Sequence, residues 1–561
     1  MQTASLPRLM MLLAGLSLAA CGDDSDPIKP PENPAPTGLQ ATATGTNTIQ
    51  VSWSAPTTPA TEFVLHRATG DGDFAEIARP GATATSHADA GLQPGTAYRY
   101  RIAAVRSAGT SSFSAIASAT TEEEVEDLIV EVTTNITTDT RWTADRTYYL
   151  MGFIKVANGA TLTIDPGTTI YGDYETLGSS LFVLRGARIV ANGTAGNPIV
   201  FTSERPVGQR RPGDWGGLIV VGNGIINRSG TVIVEGTATD DVINPAVPYS
   251  GGTDNTDNSG TLRYVRVEYA GYAPAQDAEL NSFTFAAVGS GTTMEYLQAH
   301  NGLDDAFEWF GGAVDGRYLV SYETGDDHFD MSEGYSGRLQ YLIAYQSKLL
   351  DPRPNAGGVA SGPQGFEIDG CGSNAGGGCD NGYNSTPFTS PVVANFTMIG
   401  SAAGLVGSSG GYGMVLRRGT AGHYVNGIIA HWPTAAIGYR DAQSKARELD
   451  GLLTIQGLYV AETATLFQSG QQQYEGPGEI EHQPATAAAT IFSSLPANPA
   501  NAAEFDWSLA PGVAPRTGGL VIFTGNLAAR AGGAIGGTTF RGAADPNGPK
   551  WWQGWTTYTD N

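Results

Sequence analysis

The stretch Asp304-Asp-Ala-Phe-Glu-Trp-Phe-Gly-Gly312 is followed, 22 residues later, by a second version of itself, Asp326-Asp-His-Phe-Asp-Met-Ser-Glu-Gly334. A Tyr-Leu pair recurs at almost the same spacing, beginning at Tyr296, Tyr318 and Tyr341. A period near 22 residues fits one coil of a parallel β-helix, in which each coil buries its apolar face only by stacking on its neighbours. A leucine-rich repeat of similar length would need a regular Leu and Asn consensus, which this sequence lacks. The repeat therefore predicts stacked β-coils.

The region around the repeat, residues 128–561, has the composition of many short strands joined by tight corners. Glycine accounts for 75 of the 561 residues in the whole chain, about twice the usual ~7%. The segment from Ile154 to Ile170 alternates apolar with polar residues around a Pro-Gly corner, and helical periodicity is almost absent. The sequence therefore predicts an all-β fold class, with binding loops at the insertions 240–258 and 351–361, where the period breaks.

Short strands in this region also carry a family resemblance. Leu181-Phe-Val-Leu184 and Gly213-Asp-Trp-Gly-Gly-Leu-Ile-Val-Val221 are similar to the first coils of secreted bacterial β-helices. The resemblance is to the pectin-lyase-like superfamily, and it implies a right-handed parallel β-helix over residues 128–561. Because that superfamily includes polysaccharide lyases and hydrolases, an enzyme is one function that the resemblance implies.

A smaller unit precedes the coils. Residues 37–121 contain short alternating strands, among them Ile49-Gln-Val-Ser-Trp53 and Tyr98-Arg-Tyr-Arg-Ile102, and this spacing indicates a β-sandwich. Trp53 and the segment Leu92-Gln-Pro-Gly-Thr-Ala-Tyr98 resemble a fibronectin type III domain with its tyrosine corner. The resemblance implies a spacer or a weak binding unit, so we assign this domain no chemistry.

The N-terminus indicates export. An apolar run from Leu9 to Ala20 is too short to span a bilayer and is typical of a signal peptide. Leu18-Ala-Ala-Cys21 is similar to a bacterial lipobox, which implies a lipoprotein signal peptide at residues 1–20 and lipidation of Cys21; an ordinary secretory signal is the alternative. Residues 21–36 are rich in proline and predict a flexible tether. We therefore expect a lipid-anchored protein of the bacterial cell envelope, at the outer membrane or cell surface.

Charge narrows the choice of partners. The net charge is −24 and the pI is near 4.6, so nucleic-acid phosphates would repel the chain. We expect no nucleic-acid partner, and membrane contact through Cys21 alone. An acidic surface suits divalent cations, or it simply keeps an exported protein in solution. The other two cysteines, Cys371 and Cys379, predict one local disulfide, with a thiolate metal site as the alternative.

The repeated acidic segment predicts a ladder of carboxylates. Alternate residues of a strand share a face, so Phe307 and Trp309 would point inward while Asp304, Glu308 and, one coil later, His328 would point outward with their acidic neighbours. Stacked strands lie ~4.8 Å apart, and at an effective dielectric constant of ~20 each pair of like charges costs a few kcal/mol. A cation, a shared proton or splaying into solvent must offset this repulsion.

Oxygen donors in this number favour Ca²⁺ as a cofactor, and Zn²⁺ is disfavoured because only one histidine falls within the ladder. The predicted metal ligands are the outward carboxylates of three coils: Asp304, Glu308, Asp326, Asp330, Glu367 and Asp369. A solvated acidic face and a catalytic centre are the alternatives. His300 and Glu333 would lie near the ends of the ladder.

If the chain is an enzyme, the candidate catalytic residues are Asp304, Asp326, Asp327, His328 and Asp330. Inverting glycosidases need two carboxyl groups ~6.5–9.5 Å apart, which stacked coils can supply. The partner segments expected of the resembling hydrolases are poorly matched by His423-Tyr424 and Arg417-Arg418. A lyase would need a basic proton acceptor beside the calcium; Arg317 and Arg338 precede the right coils, but ion pairing is the favoured role for both.

Aromatic residues end the chain at Trp551, Trp552, Trp555 and Tyr558. Exposed, they could stack on sugar rings; folded back, they would cap the last coil, which is the favoured interpretation. These features predict a surface-anchored, non-catalytic binding protein whose Ca²⁺-ordered coils engage a glycan or another envelope component. The alternatives are a polysaccharide lyase or glycoside hydrolase of the β-helix type, and a passive structural or adhesive spacer.

Overall fold

The computed structural model describes residues 33–54, 56–124, 128–275, 278–356, 362–372, 378–401, 410–495 and 505–559. The chain divides into two compact units, residues 1–126 and 127–561. The predicted signal peptide, Cys21 and most of the predicted tether lie outside the described residues. Within the described ranges, no helix combines the length and the apolar character that crossing a membrane requires.

The described residues of the first unit form a β-sandwich. Its strands are β1 (Thr37–Ala43), β2 (Thr48–Ser54), β3 (Glu62–Thr69), β4 (Ala75–Ala78), β5 (Ser86–Ala90), β6 (Ala97–Arg106), β7 (Gly109–Thr110) and β8 (Ala117–Thr120). One antiparallel sheet contains β1, β2 and β5, and the other contains the remaining five strands. Trp53 is buried with its ring 5.6 Å from that of Phe63. The hydroxyl of Tyr98 accepts a hydrogen bond of 2.9 Å from the backbone N–H of Gln93, as a tyrosine corner requires.

The second unit consists almost entirely of short strands. Its first strands are β9 (Leu128–Val132), β10 (Thr140–Trp142), β11 (Arg146–Leu150), β12 (Phe153–Val156), β13 (Thr161–Ile164), β14 (Thr169–Gly172), β15 (Ser180–Val183), β16 (Arg188–Asn192), β17 (Ile199–Ser203), β18 (Leu218–Val221) and β19 (Gly260–Glu268). The strands that follow are β20 (Phe283–Ala286), β21 (Thr293–Gly302), β22 (Phe307–Phe310), β23 (Gly316–Thr324), β24 (Phe329–Ser332), β25 (Arg338–Tyr345), β26 (Phe366–Asp369), β27 (Val392–Ile399) and β28 (Tyr412–Arg417). The last elements are β29 (Gly422–Val425), β30 (Ile428–Ala430), β31 (Ala435–Tyr439), α1 (Ala442–Leu449), β32 (Leu453–Gln456), β33 (Leu458–Ala461), β34 (Ile480–Gln483), β35 (Phe492–Ser494), β36 (Asp506–Leu509) and α2 (Gly525–Ala531).

Successive coils of this unit stack in register. Equivalent strands of successive coils pair in parallel and form two long sheets, of 17 and nine strands within the described residues. The nine-stranded sheet has the order β12-β15-β18-β20-β22-β24-β26-β28-β31, so each strand comes from the next coil. The unit is therefore a parallel β-helix, and the predicted all-β fold class is confirmed.

The 22-residue repeat corresponds to one coil. Phe307 pairs with Phe329, and Glu308 pairs with Asp330. The two phenylalanine rings stack with centroids 5.3 Å apart, and Phe366 continues the row one coil later. All three rings are fully buried, and burying a Phe side chain contributes ~1.5–3 kcal/mol. The apolar half of the repeat thus builds the core, while the acidic half lies outside it.

The Tyr-Leu repeat marks a corner of the β-helix. The three tyrosines of the repeat and Tyr264, which occupies the same position one coil earlier, all have positive φ values. These are 49°, 55°, 61° and 66° at Tyr264, Tyr296, Tyr318 and Tyr341. Their rings stack on one another with centroids 4.3, 4.4 and 5.0 Å apart. A bulky residue in the left-handed region is uncommon, and stacking offsets part of the strain. The strands therefore bend at the same place in each of these coils.

The C-terminal aromatic residues fold back onto this corner. Trp555 is buried, with its ring edge-on to Tyr264 and Tyr296 at 5.8 and 6.0 Å. Tyr558 is buried against Tyr322, 5.2 Å away. The segment therefore covers the flank of central coils rather than the open last coil, and its buried rings are not displayed in a row for sugar stacking.

Candidate metal centre

The nine-stranded sheet carries one outward row of side chains that changes from apolar to acidic along the β-helix. In successive coils the row contains Phe182, Ile219, Thr284, Glu308, Asp330, Glu367 and Val415. The insertion after β18 packs on the apolar start of the row, where its Val247 and Tyr249 are buried. The middle of the row thus presents three carboxylates from three successive coils.

A second row runs beside the first, just before each strand begins. Its members in successive coils are Asn281, Asp305, Asp327 and Gln364. The Oδ1 atom of each of the first three accepts a hydrogen bond from the backbone N–H of the next member, at 3.1, 2.7 and 3.0 Å. Hydrogen bonds from amides to carboxylates are stronger than neutral ones. The two aspartates therefore fasten consecutive coils to one another.

Carboxylates of these coils form three groups, and the two rows meet at two of them. Within each group the ligand atoms lie within 4.8 Å of one another, and the groups are Asp305, Glu308 and Asp330; Asp327, Asp330 and Glu367; and Asp304, Asp305 and Asp326. The first two groups are related by one coil of the β-helix and share Asp330. The Oδ1 atom of Asp330 is buried and has no hydrogen-bond partner among the described residues.

Amide side chains close both ends of the acidic rows. In the coil that precedes Glu308, Asn281 donates a hydrogen bond through Nδ2 to Oε2 of Glu308. In the last acidic coil, Gln364 donates through Nε2 to Oε2 of Glu367 at 2.8 Å. An amide is neutral and offers both donors and an acceptor, so the two rows change from carboxylates to amides at these coils. Carboxylates also lie beside the two rows, since repulsion from Glu235 and Glu279 contributes to the raised pKa of Asp304.

We call the eight carboxylates of these coils the acidic ladder: Asp304, Asp305, Glu308, Asp326, Asp327, Asp330, Glu367 and Asp369. Burial, followed by repulsion from neighbouring carboxylates, raises the pKa of the first seven above the ordinary range. For Asp326 the pKa rises to about 7. Removing charged carboxylates from water is costly unless opposite charge accompanies them. The ladder therefore demands positive charge or protons.

Two arginines supply part of that charge. Arg417 contacts Glu367 through Nη2 and lies 2.5 Å from Oδ1 of Asp369 through Nε. Arg418 lies 2.5 Å from the other oxygen of Asp369. Burial acts to lower the pKa of Arg417, but the carboxylates of Asp369 and Glu367 outweigh it and raise that pKa. Asp369, a predicted ligand, is thus engaged by two guanidinium groups and lies outside the three groups of carboxylates.

Asp305 was not among the predicted site residues, and the orientation predicted for His328 is wrong. Both errors have the same cause. The strands begin at Phe307 and Phe329, so strict alternation does not apply to the residues before them. His328 is fully buried, its Nδ1 lies 2.6 Å from Oγ of Ser321, and burial lowers its pKa to about 3. The repeated Asp-Asp doublets were the sequence signal for a second acidic row.

The other basic candidates lie away from the ladder. Arg317 and Arg338 are in β23 and β25 of the 17-stranded sheet, and Arg338 pairs with Asp315 at 2.5 Å. Ion pairing is thus the role of Arg338, but its partner is not the ladder. The ring of His423 is buried and lies 2.8 Å from the hydroxyl of Thr454. The pair Arg417 and Arg418, which matched the hydrolase pattern poorly, provides the counter-charge instead.

Of the two residues predicted near the ends of the ladder, Glu333 directly follows β24 of the nine-stranded sheet, whereas His300 lies in β21 of the 17-stranded sheet. Glu333 pairs with Arg228 at 2.5 Å and accepts a hydrogen bond from Tyr249 at 2.6 Å. His300 is buried, with its ring stacked 5.4 Å from that of Tyr322. The predicted disulfide is confirmed: Cys371 and Cys379 are bonded, with Cα atoms 5.9 Å apart. It follows Asp369 directly and ties down the chain that leaves the last acidic coil.

Comparison with known proteins identifies the second unit. The model of the pectate-lyase-like β-helix domain family matches residues 134–507, well over half of the chain. The chain belongs to this family. The fibronectin type III domain model matches residues 34–120, so the sandwich that precedes the β-helix is a fibronectin type III domain.

The similar proteins named below match only a small part of the chain. A poly(3-hydroxybutyrate) depolymerase from Ralstonia pickettii is 39% identical over 89 residues, which are 16% of this chain and 17% of that protein. The chain thus spans less than a fifth of the length of this curated relative. An Fn3-like protein from Clostridium thermocellum is 28% identical, with a TM-score of 0.15, over 16% of this chain and 96% of its own. A β-1,2-glucanase from Parabacteroides distasonis is 23% identical, with a TM-score of 0.16, over 17% of this chain and 13% of its own.

Proposed function

We propose that this protein is a non-catalytic binding protein of the bacterial envelope whose acidic ladder holds divalent cations, Ca²⁺ in the first place. The ordered coils then engage a glycan or another envelope component. The observation that carries the proposal is the coil-repeated pair of carboxylate groups that share Asp330. The proposed envelope location rests on the lipobox-like segment that ends at Cys21.

Cations account for the buried charge better than the alternatives. Splaying into solvent is disfavoured because Glu308 and Asp327 are only 6% and 3% exposed. A shared proton joins only two carboxylates at a time, whereas Asp330, whose buried Oδ1 has no hydrogen-bond partner among the described residues, belongs to two groups of three. A cation between the two rows would satisfy that oxygen and neutralise its neighbours in one step.

The donor set favours Ca²⁺. All three groups consist of carboxylate oxygens, the ligands that calcium prefers at ~2.3–2.6 Å. Oxygens bound to one ion at that distance lie within about 5 Å of one another, as the ligand atoms of each group do. Zinc would favour histidine or cysteine ligands, and the buried ring of His328 is bonded to Ser321 instead.

The test is a glycan array probed with the full chain, once with Ca²⁺ and once with EDTA. Calcium-dependent binding supports the proposal. Binding that EDTA leaves unchanged would remove the cations from the recognition step, and a chain that binds no glycan in either condition would favour the passive spacer. The matched variants are Asp330→Asn and, as a control in a coil outside the ladder, Asp165→Asn, which removes the partner of Arg141.

A second candidate, a glycan lyase or hydrolase, is favoured by Asp326. Burial first, and the neighbouring Glu367 second, raise the pKa of Asp326 to about 7, which suits a general acid or base near neutral pH. Two observations weigh against it: Arg417 is held charged by two carboxylates, and His328 is buried in the core. Assays for reducing ends and unsaturated products on acidic polysaccharides decide the matter, since turnover abolished by Asp326→Asn would establish the enzyme.

A further inference from the structure

The stacked tyrosines at one corner of the β-helix form a continuous column of phenol rings. We call these four residues the tyrosine column: Tyr264, Tyr296, Tyr318 and Tyr341. They come from successive coils, and neighbouring rings are nearly parallel, with interplanar angles of 13°, 13° and 9°. All four residues are half-buried. The column is therefore packed on one side and open to solvent on the other.

The backbone does not favour tyrosine at this corner. A bulky residue in the left-handed region is uncommon, whereas Asn adopts that region more readily. The next two coils carry Asn395 and Asn426 at the same corner, with φ values of 55° and 57°. Side chains that are kept in a sparsely populated backbone conformation cluster at functional sites. The cost of placing tyrosine here in four coils points to a role for the phenol groups themselves.

The phenol groups of the column are close enough to exchange electrons. The shortest pairs are Tyr264 with Tyr296 and Tyr296 with Tyr318, whose ring centroids lie 4.3 and 4.4 Å apart. Burial, followed by the neighbouring phenol groups of Tyr318 and Tyr264, raises the pKa of Tyr296. A neutral phenol loses its electron together with its proton, and a half-buried hydroxyl can release that proton to water. A radical formed on one ring can therefore move to the next ring of the stack.

Two indole rings extend the column into the C-terminal segment. Trp555 is edge-on to Tyr264 and Tyr296, and the half-buried Trp551 lies 5.1 Å from Tyr318 between ring centroids. At neutral pH a phenol that also releases its proton is oxidised more readily than an indole. An electron removed from either tryptophan is therefore replaced from the tyrosine beside it, and the oxidation ends on the column.

We propose that the tyrosine column is a site of oxidative cross-linking, at which Tyr296 is joined to Tyr264 or to Tyr318 as dityrosine. The oxidant is hydrogen peroxide, used through a haem peroxidase. Each of the two tyrosines loses one electron and its phenolic proton, and the two radicals form a carbon–carbon bond between ring carbons adjacent to the hydroxyls. The hydrogens on those two carbons then move to the oxygens, which restores both phenols. Hydrogen peroxide takes up the two electrons and the two protons and becomes two molecules of water.

The new bond would fasten consecutive coils to one another outside the core. Because the column lies on the 17-stranded sheet and the acidic ladder on the nine-stranded sheet, the inference depends neither on calcium nor on a glycan. It goes beyond the proposed binding function and stands or falls separately from it.

The test treats the purified full chain with a haem peroxidase and limiting hydrogen peroxide, and then digests the monomer band of a denaturing gel with trypsin. Trypsin cleaves after Arg266 and Arg317, so the tyrosines of the two short pairs fall in three different peptides. We expect mass spectrometry to find the peptide of Tyr296 linked to that of Tyr264 or Tyr318, with the loss of two hydrogen atoms. The fluorescence of dityrosine should appear in the same band.

The Tyr296→Phe variant should lower the yield of this cross-link at least tenfold, because phenylalanine keeps a ring in the stack but has no phenolic hydrogen. The matched control is Tyr149→Phe, which should leave the yield unchanged. Tyr149 and Tyr171 are also half-buried neighbours on adjacent coils, but their rings are 5.2 Å apart and inclined by 34°. If Tyr296→Phe alters the melting curve, the double variant Tyr264→Phe and Tyr318→Phe repeats the measurement.

Three results would overturn the inference. Dityrosine found only between chains would mean that exposed tyrosines react when molecules collide. A link between Tyr149 and Tyr171 as abundant as that of Tyr296 would mean that proximity alone decides the reaction. Oxygen added to Trp551 or to methionines, without any linked peptides, would show that the column does not receive the oxidation.

Discussion

Replacing Asp330 with Asn should shift the stability of the protein in opposite directions with and without Ca²⁺. Asp330 belongs to two of the three carboxylate groups, so one substitution weakens both. With Ca²⁺ at ~100 times its Kd, binding stabilises the folded chain by ~2.7 kcal/mol per site, and loss of both sites costs about 5 kcal/mol. In EDTA the substitution removes repulsion of up to ~4 kcal/mol for each neighbouring carboxylate at ~4 Å, so the variant becomes more stable than the wild type.

The assay is thermal unfolding followed by circular dichroism, in Ca²⁺ and in EDTA. We expect the Tm of Asp330→Asn to fall by roughly 5 °C or more in Ca²⁺ and to rise in EDTA. Asp165→Asn, the control, should change the Tm slightly and equally in both solutions, because Asp165 forms a surface ion pair outside the ladder. Equal destabilisation of Asp330→Asn in both solutions would refute the reasoning, since Asp330 would then serve packing alone.

Three further predictions concern the acidic ladder, the amide that precedes it and the tyrosine corner. In EDTA the free energy of unfolding should fall as the pH rises from about 4 through about 7. The reason is that the pKa of Asp326 is raised to about 7 in the folded state, so its neutral form is favoured only there. Urea titrations in which stability increases over that pH range would contradict this prediction. Asn281→Ala should cost ~1–3 kcal/mol in urea unfolding because the backbone N–H of Asp305 loses its acceptor, and a neutral effect would show that water replaces the amide. The Tyr318→Val variant should be less stable than the Tyr318→Asn variant by ~1 kcal/mol, because φ at this corner is 61° and Asn tolerates the left-handed region. The reverse order of stability would contradict the claim that the backbone is strained at Tyr318.

The sequence predicted the coils because the repeat is set by stacking. Glu308 faces Asp330 and Phe307 faces Phe329, as a 22-residue period requires when equivalent residues of adjacent coils pair. The sandwich was predictable from Trp53 and Tyr98, since both positions depend on local chain geometry. Three of the outward carboxylates, Glu308, Asp330 and Glu367, follow from the same register.

The remainder of the site depends on contacts that the period does not encode. Asp305 and His328 precede their strands, where the backbone is not extended, so their orientations follow from the corner. Arg417 reaches the ladder from β28, 50 residues after Glu367, because an insertion separates the two coils. The position of Trp555 at the side of the β-helix is set by the stacked tyrosines against which its ring packs.

The most direct test of the central claim is a count of bound calcium. Calcium is titrated by calorimetry into chelator-stripped full-length protein, and the retained metal is measured after dialysis. We expect saturable binding of at least two ions per chain, reduced in Asp330→Asn and unchanged in Asp165→Asn, because two coil-related groups share Asp330. A chain that shows no saturable calcium binding and the same Tm in Ca²⁺ and EDTA would contradict the account.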